Sequence, residues 1–151
     1  MNAYICCSEA QIMYYQKWAI EHKYKSAILV WEKPLSIISK NRYSQNVEFV
    51  VRIYQSRTGL NKIEENQLYN RVDHSPIVRG KDKLHPTQKP VSLMEKFIKL
   101  STKESDIILD PFMGSGTTAI ACLKNNRHFI GFETNKDYYE TSLKRIEENE
   151  K

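Results

Sequence analysis

Only 3 of the 151 residues are cysteine, at positions 6, 7 and 122, and no Cys-x-x-Cys spacing occurs. Such an odd, scattered set excludes a disulfide framework and a structural zinc or other metal site, and reduced, buried thiols are expected. Glycine and proline are also sparse, at 5 each, without a biased tract, which excludes collagen-like, mucin-like and wholly disordered chains. The longest uninterrupted apolar runs, 27–31 among them, are far short of the ~20 residues that cross a bilayer. The opening Met1-Asn2-Ala3-Tyr4 lacks the basic-then-apolar pattern of a secretory leader, so a cytoplasmic protein without a membrane partner is expected. What is present, 40% hydrophobic and 27% charged residues, suits one ordinary globular domain over 1–151.

The net charge is +5, and its placement says more than its sum. Residues 52–103 hold 11 Lys/Arg against 5 Asp/Glu, whereas the remainder holds 12 against 13. The middle of the chain therefore carries the whole surplus. Arg57, Lys62, Arg71, Arg79, Lys81 and Lys83 form a basic stretch suited to neutralising nucleic-acid phosphates, where released counterions reward each contact. Solvated surface is the plain alternative reading of the same charges.

Hydrophobic patterning predicts alternating strands and helices. Residues 2–7 read as a strand, and Ser8-Glu9-Ala10-Gln11 has capping-box spacing, so a helix follows with Ile12, Tyr15, Ala19 and His22 on one face. Residues 26–31 and 47–54 read as strands apolar on both faces, the mark of a parallel sheet covered by helices. From 55 to 84 the periodicity fades into a long basic loop. Pro90 then opens a helix with an apolar stripe of Val91, Met94, Phe97 and Ile98. A strand over 107–109, a helix over 117–124, a strand over 128–132 and a helix over 136–148, buried through Tyr139, Leu143 and Ile146, complete the pattern. The alternation predicts an α/β sandwich with a mostly parallel sheet.

Asp110-Pro111-Phe112-Met113-Gly114-Ser115-Gly116-Thr117-Thr118 joins a strand's carboxyl end to a helix start, where ligands bind in open α/β sheets. The two glycines permit a tight turn and close approach of a ligand to the backbone, and Asp110 brings a carboxylate suited to an amino group. The turn lacks the Gly-Lys-Ser/Thr ending of a phosphate-binding loop, which argues against ATP. Glu133 follows 23 residues after Asp110, at the tip of the next strand, where an acid commonly accepts hydrogen bonds from ribose hydroxyls. Together these features point to a nucleoside ligand.

Lys83-Leu84-His85-Pro86-Thr87-Gln88-Lys89-Pro90, the segment 110–118 and Gly131-Phe132-Glu133, in this order and spacing, closely resemble the S-adenosylmethionine site of the circularly permuted, beta-class amino methyltransferases of DNA. The resemblance implies a Rossmann-like methyltransferase sandwich, with cofactor-binding roles for His85, Thr87, Lys89, Asp110, Phe112, Gly114, Ser115, Gly116, Thr117 and Glu133. Lys89 suits the cofactor carboxylate, Asp110 its ammonium and Glu133 its ribose diol. Less specifically, Tyr4-Ile5-Cys6-Cys7-Ser8, Trp31-Glu32-Lys33-Pro34 and Val47-Glu48-Phe49-Val50 resemble strand segments of the same family. On this alignment 55–84 fills the slot of a small target-recognition region, with Arg57, Arg71, Arg79, Lys81 and Lys83 as DNA contacts and double-stranded DNA as partner. Trp31 and Tyr43 are expected to pack in the core or at its rim rather than to stack on a base.

The family's catalytic Asp/Asn/Ser-Pro-Pro-Tyr/Phe tetrapeptide has no counterpart in the 151 residues, so no catalytic residue is assigned. The expectation is an N-terminally truncated methyltransferase, lacking the catalytic-loop strand and a neighbouring strand. The gap would close by direct pairing of the flanking strands, by a separate polypeptide bearing the missing segment, or by self-association through exposed edges. Two functions stay open: the C-terminal portion of a DNA methyltransferase, adenine being the favoured target, and an inactive remnant or split subunit that binds S-adenosylmethionine or DNA without turnover.

Overall fold

The computed structural model describes residues 1–34, 43 and 46–149. The chain divides into two compact units, 1–76 and 77–151.

The first unit is a sheet with one helix upon it. Strand β1 (Asn2–Cys7) runs into helix α1 (Glu9–Glu21), then strand β2 (Lys25–Glu32), strand β3 (Val47–Tyr54) and a two-residue strand β4 (Val72–Asp73). The capping box forms as expected, the Ser8 backbone N–H donating to Gln11 Oε1 at 2.9 Å. The sheet order is β1-β3-β2-β4. Where a mostly parallel sheet was expected, this one is mixed: β3 runs antiparallel to both β1 and β2, with Val51 opposite Ile5 and Ile28, and among the described residues the short β2–β4 pairing of this sheet is parallel. Apolar residues on both faces report burial and carry no information on strand direction, which is why the pattern misled. Ala19, Val51 and Ile53 form the core, covered by Ile5, Ile12, Tyr15 and Tyr24. Each such aliphatic side chain contributes about 1.5–3 kcal/mol on burial. His22 caps the helix end at the surface instead of joining the buried face. The expectation of buried thiols holds for Cys122 but not for Cys6, which is exposed.

In the second unit, helix α2 (Val91–Ser101) precedes strand β5 (Ile107–Asp110), helix α3 (Thr117–Lys124), strand β6 (His128–Gly131) and helix α4 (Lys136–Asn149). Strands β5 and β6 pair in parallel, Ile107 opposite His128 and Asp110 opposite Gly131. Such a pairing needs a crossover, which α3 supplies. Ile98, Ala121 and Cys122 pack with Ile108 and Phe129, and Ile120 with Ile146. The opposite face of this ladder is bare: Ile107 and Leu109 are more than 60% exposed, so this strand is not covered on both sides as its sequence suggests. Helix α4 is also rotated from the expected stripe, with Ser142 and Ile146 buried while Tyr139 and Leu143 stay exposed. The 55–84 stretch contains β4 and two 3₁₀ turns, Asn66–Tyr69 and Gly80–Asp82, and crosses the boundary between the units. Among the described residues no helix is long and apolar enough to cross a membrane.

Candidate functional site

The site is built where β5 ends. Beyond the ladder, the Phe132 N–H donates to Asp110 O and the Met113 N–H donates to Phe132 O, both at 3.0 Å, so the chain leaving β5 is stitched to the end of β6. Gly131 makes this close approach possible, because a Cβ there would stand 2.3 Å from Met113 Sδ. The turn then closes with the Gly116 N–H donating to Met113 O at 2.8 Å. Gly114 and Gly116 both adopt left-handed backbone, with φ of 51° and 76°. L-residues with a Cβ resist that conformation. Gly116 faces Ser142 as well, a Cβ at 116 lying 3.1 Å from Ser142 Cβ.

Two carboxylates flank the turn. Asp110 Oδ1 accepts the Phe112 N–H at 3.0 Å. Glu133 Oε1 accepts the Asn135 N–H at 2.8 Å and its Oε2 accepts the Gly114 N–H at 3.0 Å. These bonds favour the ionised form: the Asn135 amide, helped by those of Gly114 and Thr134 and by nearby His85, holds the Glu133 carboxyl below its usual range against a smaller opposing cost of desolvation. An ionised carboxylate offers about four acceptor positions. With the Asn135 and Gly114 amides bonded and the Thr134 amide close by, Glu133 keeps acceptor capacity for a hydroxyl donor. Phe112, between the carboxylates in sequence, is 88% exposed and offers a bare ring face.

The 83–90 segment folds onto itself and against this turn. Gln88 is its buried pin, Oε1 accepting the Leu84 N–H at 2.7 Å and Nε2 donating to Asp82 O at 3.1 Å. His85 Nδ1 accepts the Thr87 N–H at 3.2 Å. The imidazole lies about 3.7 Å from the Cβ position of Gly114 and meets Tyr138 edge-on, with ring centroids 4.2 Å apart. His85, Gly114 and Glu133 are therefore brought together. Lys89 instead turns back on its own loop, Nζ donating to Thr87 O at 3.1 Å. Ser115 and Thr117 are buried, and the Thr117 hydroxyl is engaged by Arg145, so their side chains face the protein. Of the basic candidates, Arg57 and Arg71 lie in the first unit and Arg79, Lys81 and Lys83 in the second; all five are exposed. Trp31 is buried as expected, its Nε1 donating to Ser75 O at 2.8 Å, whereas Tyr43 is 98% exposed and packs neither in the core nor at its rim.

Sequence reasoning missed Gln88, Tyr138, Ser142 and Arg145. The last three share one side of α4 at i, i+4 and i+7, a helical stripe hidden because it is polar.

The family profile described as DNA methylase, N6_N4_Mtase, matches residues 4–144. A type II methyltransferase of Streptococcus pneumoniae, M2.DpnII, is 54% identical over 67 residues, covering 44% of this chain and 25% of that protein. M.HindIII of Haemophilus influenzae is 47% identical over 80 residues, covering 50% of this chain and 26% of its own length. The matches thus span about a quarter of these curated relatives. Among solved structures, the M1.HpyAVI complex with SAM superposes with a TM-score of 0.84 at 34% identity, covering 96% of this chain and 74% of that one. With a match along nearly its whole length and a relative of this identity, the chain belongs to the N6_N4 DNA methylase family.

Proposed function

We propose that this chain is the cofactor-holding portion of a beta-class, circularly permuted DNA methyltransferase, in which 77–151 binds S-adenosylmethionine for methyl transfer to an exocyclic amino group of a DNA base, adenine before cytosine. The observation that carries the reading is Glu133, an ionised carboxylate tied to the Gly114 amide of the glycine turn with acceptor capacity to spare. The donor set fits the cofactor. Glu133 would take the ribose hydroxyls, Asp110 the ammonium and Lys89, after leaving Thr87 O, the carboxylate. Phe112, His85 and Thr87 would line the pocket, while Gly114, Ser115, Gly116 and Thr117 contribute backbone and shape. When bound, the cofactor supplies an electrophilic methyl on its sulfonium sulfur, which an amino nitrogen accepts with loss of a proton. The chain's own residues hold and orient that donor.

The exposed Arg57, Arg71, Arg79, Lys81 and Lys83 support DNA as the partner, through phosphate or base contacts. Because no Pro-Pro-aromatic segment occurs in the 151 residues, turnover in this reading requires that segment from elsewhere, in the same polypeptide or another. The same absence favours a second reading, a non-catalytic binder of cofactor or DNA.

Calorimetric titration with S-adenosylmethionine decides the first point. Binding by the wild-type chain that is lost in Glu133→Gln is expected, and no binding by the wild type refutes the cofactor site. Transfer of labelled methyl to DNA, with and without an added fragment bearing Asp-Pro-Pro-Tyr, decides the second. Activity only with the fragment is expected; turnover by this chain alone refutes the incomplete-site reading, and cofactor binding with no turnover in either arm favours the non-catalytic binder.

A further inference from the structure

The glycine turn is held on its inner side by one helix. Arg145 Nη1 donates to Ser115 O at 3.0 Å and to Thr117 Oγ1 at 3.1 Å. Since the Gly116 N–H is bonded to Met113 O, the peptide joining Ser115 to Gly116 is fixed at its oxygen by α4 and at its nitrogen by the turn. One helical turn earlier, Ser142 is fully buried against Gly116. Another turn back, Tyr138 stands edge-on to His85, whose ring rests on Gly114. Three side chains of α4 thus touch three successive parts of the site. None contributes to the helix's apolar packing, which falls to Ile146.

Arg145 is the member whose cost needs a purpose. It is half-buried, and burial pulls its guanidinium below the ordinary value, so the charge is held where solvation is poor. A leucine or methionine would fill the same space without that penalty. What the guanidinium adds is direction, since its planar donors fix two acceptors on the residues flanking Gly116.

We infer that Arg145 is a positioning residue of the cofactor site: by clamping Ser115 O and Thr117 Oγ1 it sets the left-handed turn at Gly114–Gly116 and, through the Gly114 amide, the Glu133 carboxylate. The inference rests on the cofactor reading for its functional consequence, but its structural half stands apart. A ligand is bound well only when its contacts are in place beforehand.

The test compares the full chain with Arg145→Met, Arg145→Lys and Thr117→Val, reading S-adenosylmethionine affinity, thermal midpoint and amide hydrogen exchange of residues 113–118. Arg145→Met is expected to weaken the cofactor at least about tenfold and to speed exchange at 114–117 while α2 and β6 exchange as before. Arg145→Lys, which keeps the charge without the planar fork, should recover only part of the affinity and protection lost in Arg145→Met, and Thr117→Val should show a smaller loss than Arg145→Met in the same direction. Wild-type affinity with unchanged exchange in Arg145→Met overturns the inference, as does a loss that merely follows the thermal midpoint across all variants. If the wild type binds no S-adenosylmethionine, the cofactor reading fails and the exchange data alone decide whether Arg145 sets the turn. Should Arg145→Met not fold, Thr117→Val decides, because it removes one bond of the clamp and leaves the guanidinium in place.

Discussion

Strands β3 and β5 both carry aliphatic residues, yet they occupy opposite situations. Strand β3 has a hydrogen-bonded neighbour on each edge, and Val50, Val51 and Ile53 are at most 2% exposed. Among the described residues strand β5 pairs with β6 alone, and every second residue, Ile107 and Leu109, lies open while Ile108 packs on α2 and α3. The first unit invests its apolar residues in a central strand. The second places them under a loop that carries polar chemistry, leaving one face of its ladder uncovered. Aliphatic strand residues therefore serve a scaffold in one case and a platform in the other.

Thiol chemistry should show the largest contrast between the units. Cys122 is fully buried; desolvation, reinforced by the Asp110 charge and opposed by Arg127, pushes its thiol up to about 11, whereas Cys6 is exposed. Against an ordinary thiol, that shift lowers the thiolate fraction near pH 8 about a hundredfold. Iodoacetamide labelling followed by peptide mass analysis should mark Cys6 promptly and Cys122 only on unfolding. Next in size, Val51→Asp buries an unpaired carboxylate at a fully buried position and should cost more than about 4 kcal/mol in urea denaturation. Gly116→Ala should cost about 2–4 kcal/mol, from left-handed strain plus crowding on Ser142. Pairing it with Ser142→Gly should recover the crowding share only. Trp31→Phe removes the donor to Ser75 O and should cost about 1–2 kcal/mol. Leu109→Asn, on the open face, should stay within about 0.5 kcal/mol. Equal losses for Val51→Asp and Leu109→Asn would erase the distinction between the two strands.

Much of this architecture was legible in the residues. The capping box at Ser8, the helix after Pro90 and the turn opening α3 announce themselves through local chemistry, and β1 and α3 have the predicted limits. Glu133 was legible too, by its place at a strand tip, although its bond to Gly114 was not. What escaped depends on geometry distant in sequence. The direction of β3 is set by pairing across the sheet, which its own apolar residues do not encode. The buried side of α4 was misassigned because hydrophobicity drew attention to Tyr139 and Leu143, whereas contact with the turn selects a small residue, Ser142, and a cation, Arg145. Polar packing of that kind has no periodic signature strong enough to outrank an apolar one.

Met113 Sδ fills the notch where β6 carries no side chain, at Gly131, so a single thioether keys the loop above β5 into the neighbouring strand. Peroxide converts such a sulfur into a larger, polar sulfoxide. An oxidised molecule would lose the seating of that loop while its helices and ladders stayed intact, and reductive repair would reseat it.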